Sequence, residues 1–209
     1  MNNWVTDHSI ADEMLRGANA ELPGFQRLEE TGHFKTLNNL FLQAASDVDS
    51  VLDLGCGAAE FGRIYSFFEY TGVDLEHVLE RTARKKNPHL NYIAFNAYED
   101  DYTFMQDHDL ILMNAFISEI QKSDEIFETI LQNAKRFIIL HRQKLHDFED
   151  AAVKYVKYHG YLNKEYTCAI LSNQYFEDII KKHNFKIIDK QHSSTPEEWS
   201  ILLKKETTP

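Results

Sequence analysis

Short apolar runs alternate with amphipathic segments through the middle of the chain. The apolar runs predict strands over Ser50 to Leu54, Tyr70 to Asp74, Asn91 to Phe95, Leu110 to Asn114 and Arg136 to Leu140. Apolar residues at helical spacing predict helices over Glu60 to Phe68, His77 to Lys86 and Asp124 to Asn133. Strands and helices that alternate in this way are typical of a parallel sheet with helices packed on it.

The two ends of the chain follow a less regular pattern. Helices are predicted over Ser9 to Arg16, His33 to Ala45, Phe148 to Tyr158 and Ser172 to His183, the last capped by Ser172 or Asn173. The stretch from Tyr161 to Ile170 is mixed. Two final strands are predicted over Phe185 to Lys190 and Ser200 to Lys205. Their connection is too short for a parallel crossover, so we expect them to pair antiparallel.

A glycine turn follows the first predicted strand. The chain there is Val51-Leu52-Asp53-Leu54-Gly55-Cys56-Gly57, and the next predicted strand ends at Asp74. The two glycines allow a tight turn and a close backbone approach, because a Cβ there would collide with a ligand. An acidic residue about 20 positions beyond such a turn accepts hydrogen bonds from ribose hydroxyls. The pattern therefore predicts a βαβ unit that binds a nucleoside.

The spacing of the turn favours one kind of nucleoside ligand over another. A dinucleotide site has a third glycine in its motif, where this chain has Glu60. Asp53 would repel a pyrophosphate and would attract an ammonium or sulfonium group. Two alternatives stay open at this point: an oxidoreductase with a nucleotide cofactor, and an ordinary βαβ turn in which the glycines occur by chance.

The segment from Asp53 to Gly57 resembles the first motif of class I S-adenosylmethionine-dependent methyltransferases. The order of predicted elements resembles the same family from about residue 34 to residue 206, which is most of the chain. The resemblance implies an α/β, Rossmann-like fold: a mostly parallel seven-stranded sheet with a C-terminal antiparallel hairpin and helices on both faces. It also implies a methyltransferase domain over residues 34–209, preceded by an N-terminal lid or substrate segment over residues 1–33.

The same resemblance implies that S-adenosylmethionine, or its product S-adenosylhomocysteine, binds at one edge of the sheet. Asp74 would hold the ribose hydroxyls, and Leu75 would pack on the adenine. The Asn96 side chain would accept a hydrogen bond from the adenine amino group, and Ala97 would donate its backbone N–H to the adenine. The cofactor-binding residues implied are Asp53, Gly55, Cys56, Gly57, Asp74, Leu75, Asn96, Ala97, Asn114, Ala115 and Phe116. Asn96 could instead be a surface-turn asparagine, and Phe116 could instead be a core residue.

Residues near the same edge are candidates for the acceptor side of the site. Glu119 could orient an acceptor hydroxyl or amine, and His141 could act as a general base. Arg142 could bind a substrate carboxylate or phosphate. Further candidates for a substrate wall are Trp4, Arg27, Tyr158 and Tyr161. Glu119 could instead be an exposed glutamate in a first helical turn, and His141 an ordinary loop histidine. The aromatic candidates could instead be plain packing residues.

Composition narrows the possible partners and location. With 43% hydrophobic and 12% aromatic residues the chain can build a full core, and its net charge of −11 disfavours nucleic acid. The two cysteines form neither a disulfide framework nor a metal site, and no zinc signature is present. The N-terminus lacks an apolar signal region, and no apolar run reaches membrane-spanning length. We therefore expect a cytoplasmic monomer or homodimer.

One function is favoured over its rivals. We expect an S-adenosylmethionine-dependent methyltransferase that acts on a small molecule, with oxygen as the favoured acceptor atom. The alternatives are a methyltransferase-like scaffold that has lost catalysis, and a methyltransferase that acts on protein or RNA. Asn114 does not open an N-P-P-Y motif, which argues against amino methylation of nucleobases.

Overall fold

The computed structural model describes residues 3–5, 8–19, 21, 26–159, 165–193 and 195–206. Its strands are β1 Ser50–Leu54, β2 Glu69–Asp74, β3 Asn91–Ala94, β4 Leu110–Asn114, β5 Phe137–His146, β6 Val153–His159, β7 Glu165–Ser172, β8 Phe185–His192 and β9 Glu198–Lys205. Its helices are α1 Ser9–Ala18, α2 Phe34–Ala44, α3 Glu60–Ile64, α4 Glu76–Val78, α5 Arg84–Lys86, α6 Phe116–Glu119, α7 Ser123–Asn133 and α8 Asn173–Lys182. A π-helical turn, Leu79–Ala83, joins α4 to α5.

Parallel strands form the centre of the sheet in the order β3-β2-β1-β4-β5. Because β1 lies between β2 and β4, the strand order reverses beside β1. Antiparallel pairing attaches β9 to β5 and β8 to β9. Sheets of this kind bind ligands beyond the carboxyl ends of the strands where the order reverses. The predicted Rossmann-like fold class is confirmed, but the sheet has nine strands in the described part of the chain rather than the predicted seven, because β6 and β7 extend it. The glycine turn after β1 lies at the expected edge.

Helices cover both faces of the sheet, because successive strand residues point to opposite sides. On one face, Leu52 belongs to a cluster with Phe127 of α7 and Phe176 of α8, whose ring centroids lie 5.8 Å apart. On the other face, Val51 belongs to a cluster that includes Phe41 of α2. Strands β1 and β4 are buried along nearly their whole length. That burial on both faces explains their continuous apolar sequence.

Most of the predicted elements are present close to their predicted bounds. The five central strands, the helices predicted over 33–45 and 124–133, and the final antiparallel hairpin are confirmed. Ser172 caps α8, since its Oγ accepts a hydrogen bond from the Tyr175 N–H at 3.5 Å. The helix predicted over 60–68 is shorter than expected. Helix α3 ends at Ile64, and Phe68 N–H donates to Tyr65 O in a turn that leads into β2.

The helix predicted over Phe148 to Tyr158 is wrong. Residues Val153–His159 form β6, which pairs antiparallel with β7 and places Val153 opposite Leu171. Valine and tyrosine favour strands, but so short a segment becomes one only when a partner strand is available. That partner, β7, lies in the stretch that the sequence left as mixed. The β6–β7 hairpin extends the sheet at the end of β5, where Leu145 pairs with Leu171.

Gly62 in α3 packs directly against Tyr70 of β2. A Cβ added at Gly62 would lie 2.6 Å from Tyr70 Cε1, too close for an ordinary contact. We expect Gly62→Ala to lower the free energy of unfolding by about 1 to 3 kcal/mol, although alanine is the better helix former. Urea unfolding followed by circular dichroism measures this change. Gly32→Ala is the matched control, because a Cβ there meets nothing within 4 Å; equal losses in both variants would contradict the packing argument.

Candidate active site

The glycine turn after β1 curls back over the end of β2. Gly55 and Gly57 have positive φ angles of 76° and 52°, which other residues disfavour. The N–H groups of Gly55 and Cys56 donate to Val73 O at 2.8 and 3.1 Å. A Cβ at Gly55 would lie 2.7 Å from Phe116 Cδ2, so the Phe116 ring packs on the turn itself. The turn therefore exposes bare backbone between the ends of β1, β2 and β4.

Asp74 ends β2 beside this turn. Its Oδ2 accepts a hydrogen bond from Gly57 N–H at 2.9 Å, and its Oδ1 accepts one from Leu75 N–H at 2.8 Å. Burial raises the pKa of the Asp74 carboxyl to about 6, while the two backbone bonds act to lower it. Each carboxylate oxygen keeps a further lone pair. The fixed carboxylate can therefore accept hydrogen bonds from two ligand hydroxyls.

Asp53 in β1 is 4% exposed and lies near Asp74. Its Oδ2 accepts a hydrogen bond from the Tyr70 hydroxyl at 2.7 Å. Burial raises the pKa of Asp53 to about 7, with the Tyr70 bond acting to lower it and the charge of Asp74 to raise it. A cationic ligand group would relieve the repulsion between the two carboxylates. Burial and the same carboxylates raise the pKa of the Cys56 thiol well above its usual value, which suits a packing residue rather than a nucleophile.

Asn114 ends β4 on the other side of the turn. Its Oδ1 is buried and has no hydrogen-bond partner within the described residues, and a buried acceptor without a donor is costly. Ala115, the next residue, has a positive φ of 61° and donates its N–H to His141 O at 2.8 Å. An ammonium group on a ligand bound over the turn would give the Asn114 oxygen a donor.

The loop after β3 holds Asn96 and Ala97. Asn96 Oδ1 accepts a hydrogen bond from Tyr98 N–H at 3.2 Å, and Asn96 N–H donates to Asp100 Oδ2 at 2.6 Å. The Asn96 side chain thus caps a turn, as the simpler interpretation of this residue expects. Ala97 O accepts a hydrogen bond from the Tyr102 hydroxyl at 2.6 Å. The side-chain oxygen of Asn96 keeps one lone pair, so the turn does not by itself prevent a contact with a ligand.

Glu119 ends α6, just beyond the carboxyl end of β4. Burial raises the pKa of its carboxyl to about 7, and the positive charges of Arg142 and Lys144 act to lower it. Ser118 ties this helix to β5. Its Oγ donates to Arg142 O at 3.4 Å and accepts from Lys144 N–H at 3.2 Å. A carboxyl group that titrates near neutral pH at this edge is suited to proton transfer.

His141 is only 1% exposed. Its Nδ1 lies 2.7 Å from Ser200 Oγ, and its Nε2 lies 2.8 Å from His33 Nδ1. Because both ring nitrogens are engaged inside the protein, His141 does not reach an acceptor, which argues against the predicted general base. Sequence reasoning missed His33 and Ser200, since no local pattern pairs residues so far apart in the chain. Together the three side chains connect the start of α2 to β5 and β9.

Arg142 lies in a bulge of β5. The pairing of β5 with β9 shifts register between Leu140 and Gln143, and Arg142 has a positive φ of 59°. Its Nε is buried and has no hydrogen-bond partner in the part of the chain that the structure describes. Glu198 Oε2 lies 3.9 Å from that nitrogen, in an ion pair that is too long for a hydrogen bond. A buried arginine N–H without an acceptor can bind an anionic ligand.

Helix α1 in the N-terminal segment covers the glycine turn. Met14 Sδ lies 3.8 Å from the position that a Cβ on Gly57 would occupy. Thr82 Oγ1 donates to Ala11 O at 2.9 Å, which holds α1 against the π-helical turn. Trp4 lies half-buried in a short 3-10 turn before α1, and its Nε1 is buried without a hydrogen-bond partner in the described structure. The segment is therefore positioned over the candidate ligand site.

The other predicted substrate residues are Arg27, Tyr158 and Tyr161. Arg27 is exposed, and its backbone N–H donates to Glu30 Oε2 at 3.2 Å in a local cap. This position gives Arg27 no contact that supports a substrate role. Tyr158 lies in β6, paired with Tyr166 of β7, and Tyr161 lies outside the described residues.

No group of three or more His, Cys, Asp or Glu side chains among the described residues could hold a metal ion. None of the described helices combines the length and apolar character needed to cross a lipid bilayer.

Comparisons with known proteins bear directly on this arrangement. The model of a family described as a methyltransferase domain matches residues 25–190. The magnesium protoporphyrin IX methyltransferase of Synechocystis PCC 6803, solved with bound SAH, has a TM-score of 0.65 and 12% identity, over 98% of this chain and 97% of that one. An SAM-bound amino pentose methyltransferase from Micromonospora echinaspora has a TM-score of 0.61 and 10% identity, over 84% of this chain and 92% of that one. No curated protein matches this chain by sequence.

The protonation of His33 is coupled to folding. Burial, together with the positive charge of Arg142, lowers the pKa of His33 to about 4, against the raising effect of Glu198. In the unfolded chain the pKa of His33 has its ordinary value near 6.5. The contribution of neutral His33 to the stability of the fold is therefore complete above pH 6.5 and is lost as the pH falls toward 4. We expect the wild type to lose about 1 to 2 kcal/mol more than His33→Gln across this window, after allowance for partial exposure. Urea unfolding at several pH values measures the difference.

The His33→Gln variant also separates this effect from other groups that titrate nearby. Asp53 and Glu119 have raised pKa values in the folded protein, so their protonation stabilises the fold as the pH falls. The contribution of Asp53 and Glu119 is the same in the wild type and in His33→Gln, so it cancels when their unfolding free energies are subtracted. Parallel stability curves for wild type and variant would contradict the assignment.

Proposed function

Because the chain belongs to the methyltransferase domain family, we propose that it transfers a methyl group from S-adenosylmethionine to a small-molecule acceptor, with oxygen as the acceptor atom. The observation that carries this proposal is the Asp74 carboxylate, which the N–H groups of Gly57 and Leu75 hold beside the glycine turn. A carboxylate so placed is suited to the two ribose hydroxyls of the cofactor.

The residues at the carboxyl edge fit the parts of the cofactor in their order along the sheet. Asp74 and Asn96, near the ends of β2 and β3, would hold the adenosine portion. Asp53 of β1 and Asn114 at the end of β4 would hold the ammonium group, which would give the buried Asn114 oxygen a donor. The proposed cofactor-binding residues are Asp53, Gly55, Cys56, Gly57, Asp74, Leu75, Asn96, Ala97, Asn114, Ala115 and Phe116.

For this reaction the chain mainly has to align the acceptor with the methyl group and to remove the proton of the acceptor hydroxyl. The bound cofactor supplies a methyl group on a positively charged sulfur, which is already activated for transfer. Phe116 packs on the glycine turn and α1 covers it, so the site is closed to water on these sides. Glu119 accepts the proton that an acceptor hydroxyl loses, because a pKa of about 7 leaves much of it ionised at neutral pH. His141 acts at a distance, by holding α2 against β5 through His33.

Charge and fold support a small-molecule acceptor. The net charge of −11 is unfavourable for binding nucleic acid. The two methyltransferases of similar fold described above are named for magnesium protoporphyrin IX and for an amino pentose. The proposed division is a lid or substrate segment over residues 1–33 and a methyltransferase domain over residues 34–209. The position of Met14 in α1 supports it, because its Sδ lies 3.8 Å from where a Cβ on Gly57 would be. Asp53 and Asp74 are both in place, which favours an enzyme over a scaffold that has lost catalysis.

Calorimetric titration with S-adenosylmethionine and S-adenosylhomocysteine tests the cofactor assignment. We expect both to bind the wild type, and NAD not to bind. Asp74→Ala should weaken binding by about 100-fold or more, because it removes two charge-assisted hydrogen bonds to the ribose, each worth about 1.5 to 3 kcal/mol. Asp101→Ala is the matched control, since Asp101 is an exposed carboxylate that caps a turn at Thr103. Failure of the folded wild type to bind at millimolar ligand would favour the scaffold alternative.

The pH dependence of binding separates the role of Asp53 from that of Asp74. Asp53 has the higher pKa, about 7, against about 6 for Asp74. We expect S-adenosylhomocysteine to bind progressively more weakly as the pH falls from 8 to 6, because protonated Asp53 no longer attracts the ligand's ammonium group. Methylthioadenosine lacks that group and should show a smaller change. Asp53→Asn should remove the difference between the two ligands; if it persists, the ammonium group binds elsewhere.

A further inference from the structure

Arg142 lies one strand beyond the proposed cofactor site. Strands β4 and β5 pair so that Asn114 is opposite His141, and Arg142 is the next residue along β5. Its positive φ of 59° is unfavourable for an arginine and persists only where the surrounding structure holds it. The β5 bulge and the hydrogen bond from Ser118 Oγ to Arg142 O hold it here. The fold thus keeps this side chain in a strained position on the acceptor side of the site.

The guanidinium of Arg142 has a donor that no described residue accepts. Its Nε is buried without a hydrogen-bond partner in the described residues. The 3.9 Å separation from Glu198 Oε2 is too long for a hydrogen bond. A guanidinium presents its N–H groups in a planar fork that matches a carboxylate or a phosphate. A ligand anion at this position would give the buried Nε its missing acceptor.

The neighbouring charges favour an anion with one negative charge. Lys144 is a second cation in the cluster, whereas Glu119 and Glu198 bring carboxyl groups that interact with the same residues. A phosphate dianion would be repelled by Glu198 and by the ionised form of Glu119. A single carboxylate matches the charge of Arg142 and meets less of this repulsion.

We propose that the methyl acceptor is a carboxylic acid whose carboxylate binds Arg142 while its reacting hydroxyl faces Glu119. This inference rests on the proposed function and adds to it the chemical class of the acceptor. Ser118 supports the arrangement, because its Oγ bonds the backbone of both Arg142 and Lys144 from the helix that ends at Glu119. The anchor for the acceptor and the group that takes its proton are therefore parts of one hydrogen-bonded unit.

Calorimetry on protein saturated with S-adenosylhomocysteine tests the proposal with matched pairs of compounds. The probes are 4-hydroxybenzoate, 3,4-dihydroxybenzoate and 3-hydroxybutyrate, each compared with its carboxamide. We expect at least one acid to bind 10-fold or more tightly than its amide. Arg142→Gln should weaken the binding of that acid by about 10- to 100-fold, as expected for the loss of a charge-assisted bidentate contact. The amides and S-adenosylhomocysteine itself should bind as they do to the wild type.

Two further variants keep the test independent of folding. Arg142→Gly suits the positive φ at this position, so it should fold and should lose acid binding as the glutamine variant does. Arg136→Gln is the matched control, because Arg136 is a similarly exposed arginine just before β5 that pairs with Asp47 instead. It should bind the acids like the wild type.

Four results would overturn the inference. Amides that bind as tightly as their acids, or a panel in which no acid binds, would remove the need for an anionic acceptor. Acid binding that survives both Arg142 variants would move the anchor to another residue. Weaker S-adenosylhomocysteine binding in Arg142→Gln would assign Arg142 to the cofactor. Failure of the proposed function is seen separately, as a wild type that does not bind S-adenosylhomocysteine at all.

Discussion

The closure of the glycine turn onto the end of β2 is the contact on which the rest of the site depends. Three backbone N–H groups make it: those of Gly55 and Cys56 bond Val73 O, and that of Gly57 bonds Asp74. The turn can lie this close because it has no side chains at the two glycines, and Phe116 of the next βα unit packs into the space. Without this closure, neither the carboxylates nor the end of β4 would face a common ligand.

The acceptor side is built by a different device, a bulge in β5 supported by buried polar contacts. The bulge turns Arg142 out of the regular pairing with β9. Behind it, the chain of His33, His141 and Ser200 fastens α2 to the sheet at the same level. Because His33 and His141 stay neutral, they add no positive charge beside Arg142. The two buried histidines thus leave the charge around Arg142 unchanged on the proposed acceptor side.

The part of the fold that could be predicted is the part that local patterns determine. Strands β1 and β4 and the first part of β5 are apolar runs buried in the sheet, and the glycine turn needs backbone angles that glycine favours. Prediction failed where distant residues decide the outcome. Whether Val153–His159 is a helix or a strand depends on β7. Whether His141 faces a ligand depends on His33 and Ser200, with which it shares no motif.

The net charge of the chain says little about the carboxyl edge of the sheet, because one half of that edge is acidic and the other half carries cations. At the ends of β1 and β2, burial and then the nearby charge of Asp74 raise the pKa of Asp53, so this half suits a ligand that carries a cation. At β5, Arg142 and Lys144 oppose the rise in the pKa of Glu119, so that half suits an anion. In the proposed function, the first half would hold the sulfonium cofactor and the second half the acceptor, so the division would fall between donor and acceptor.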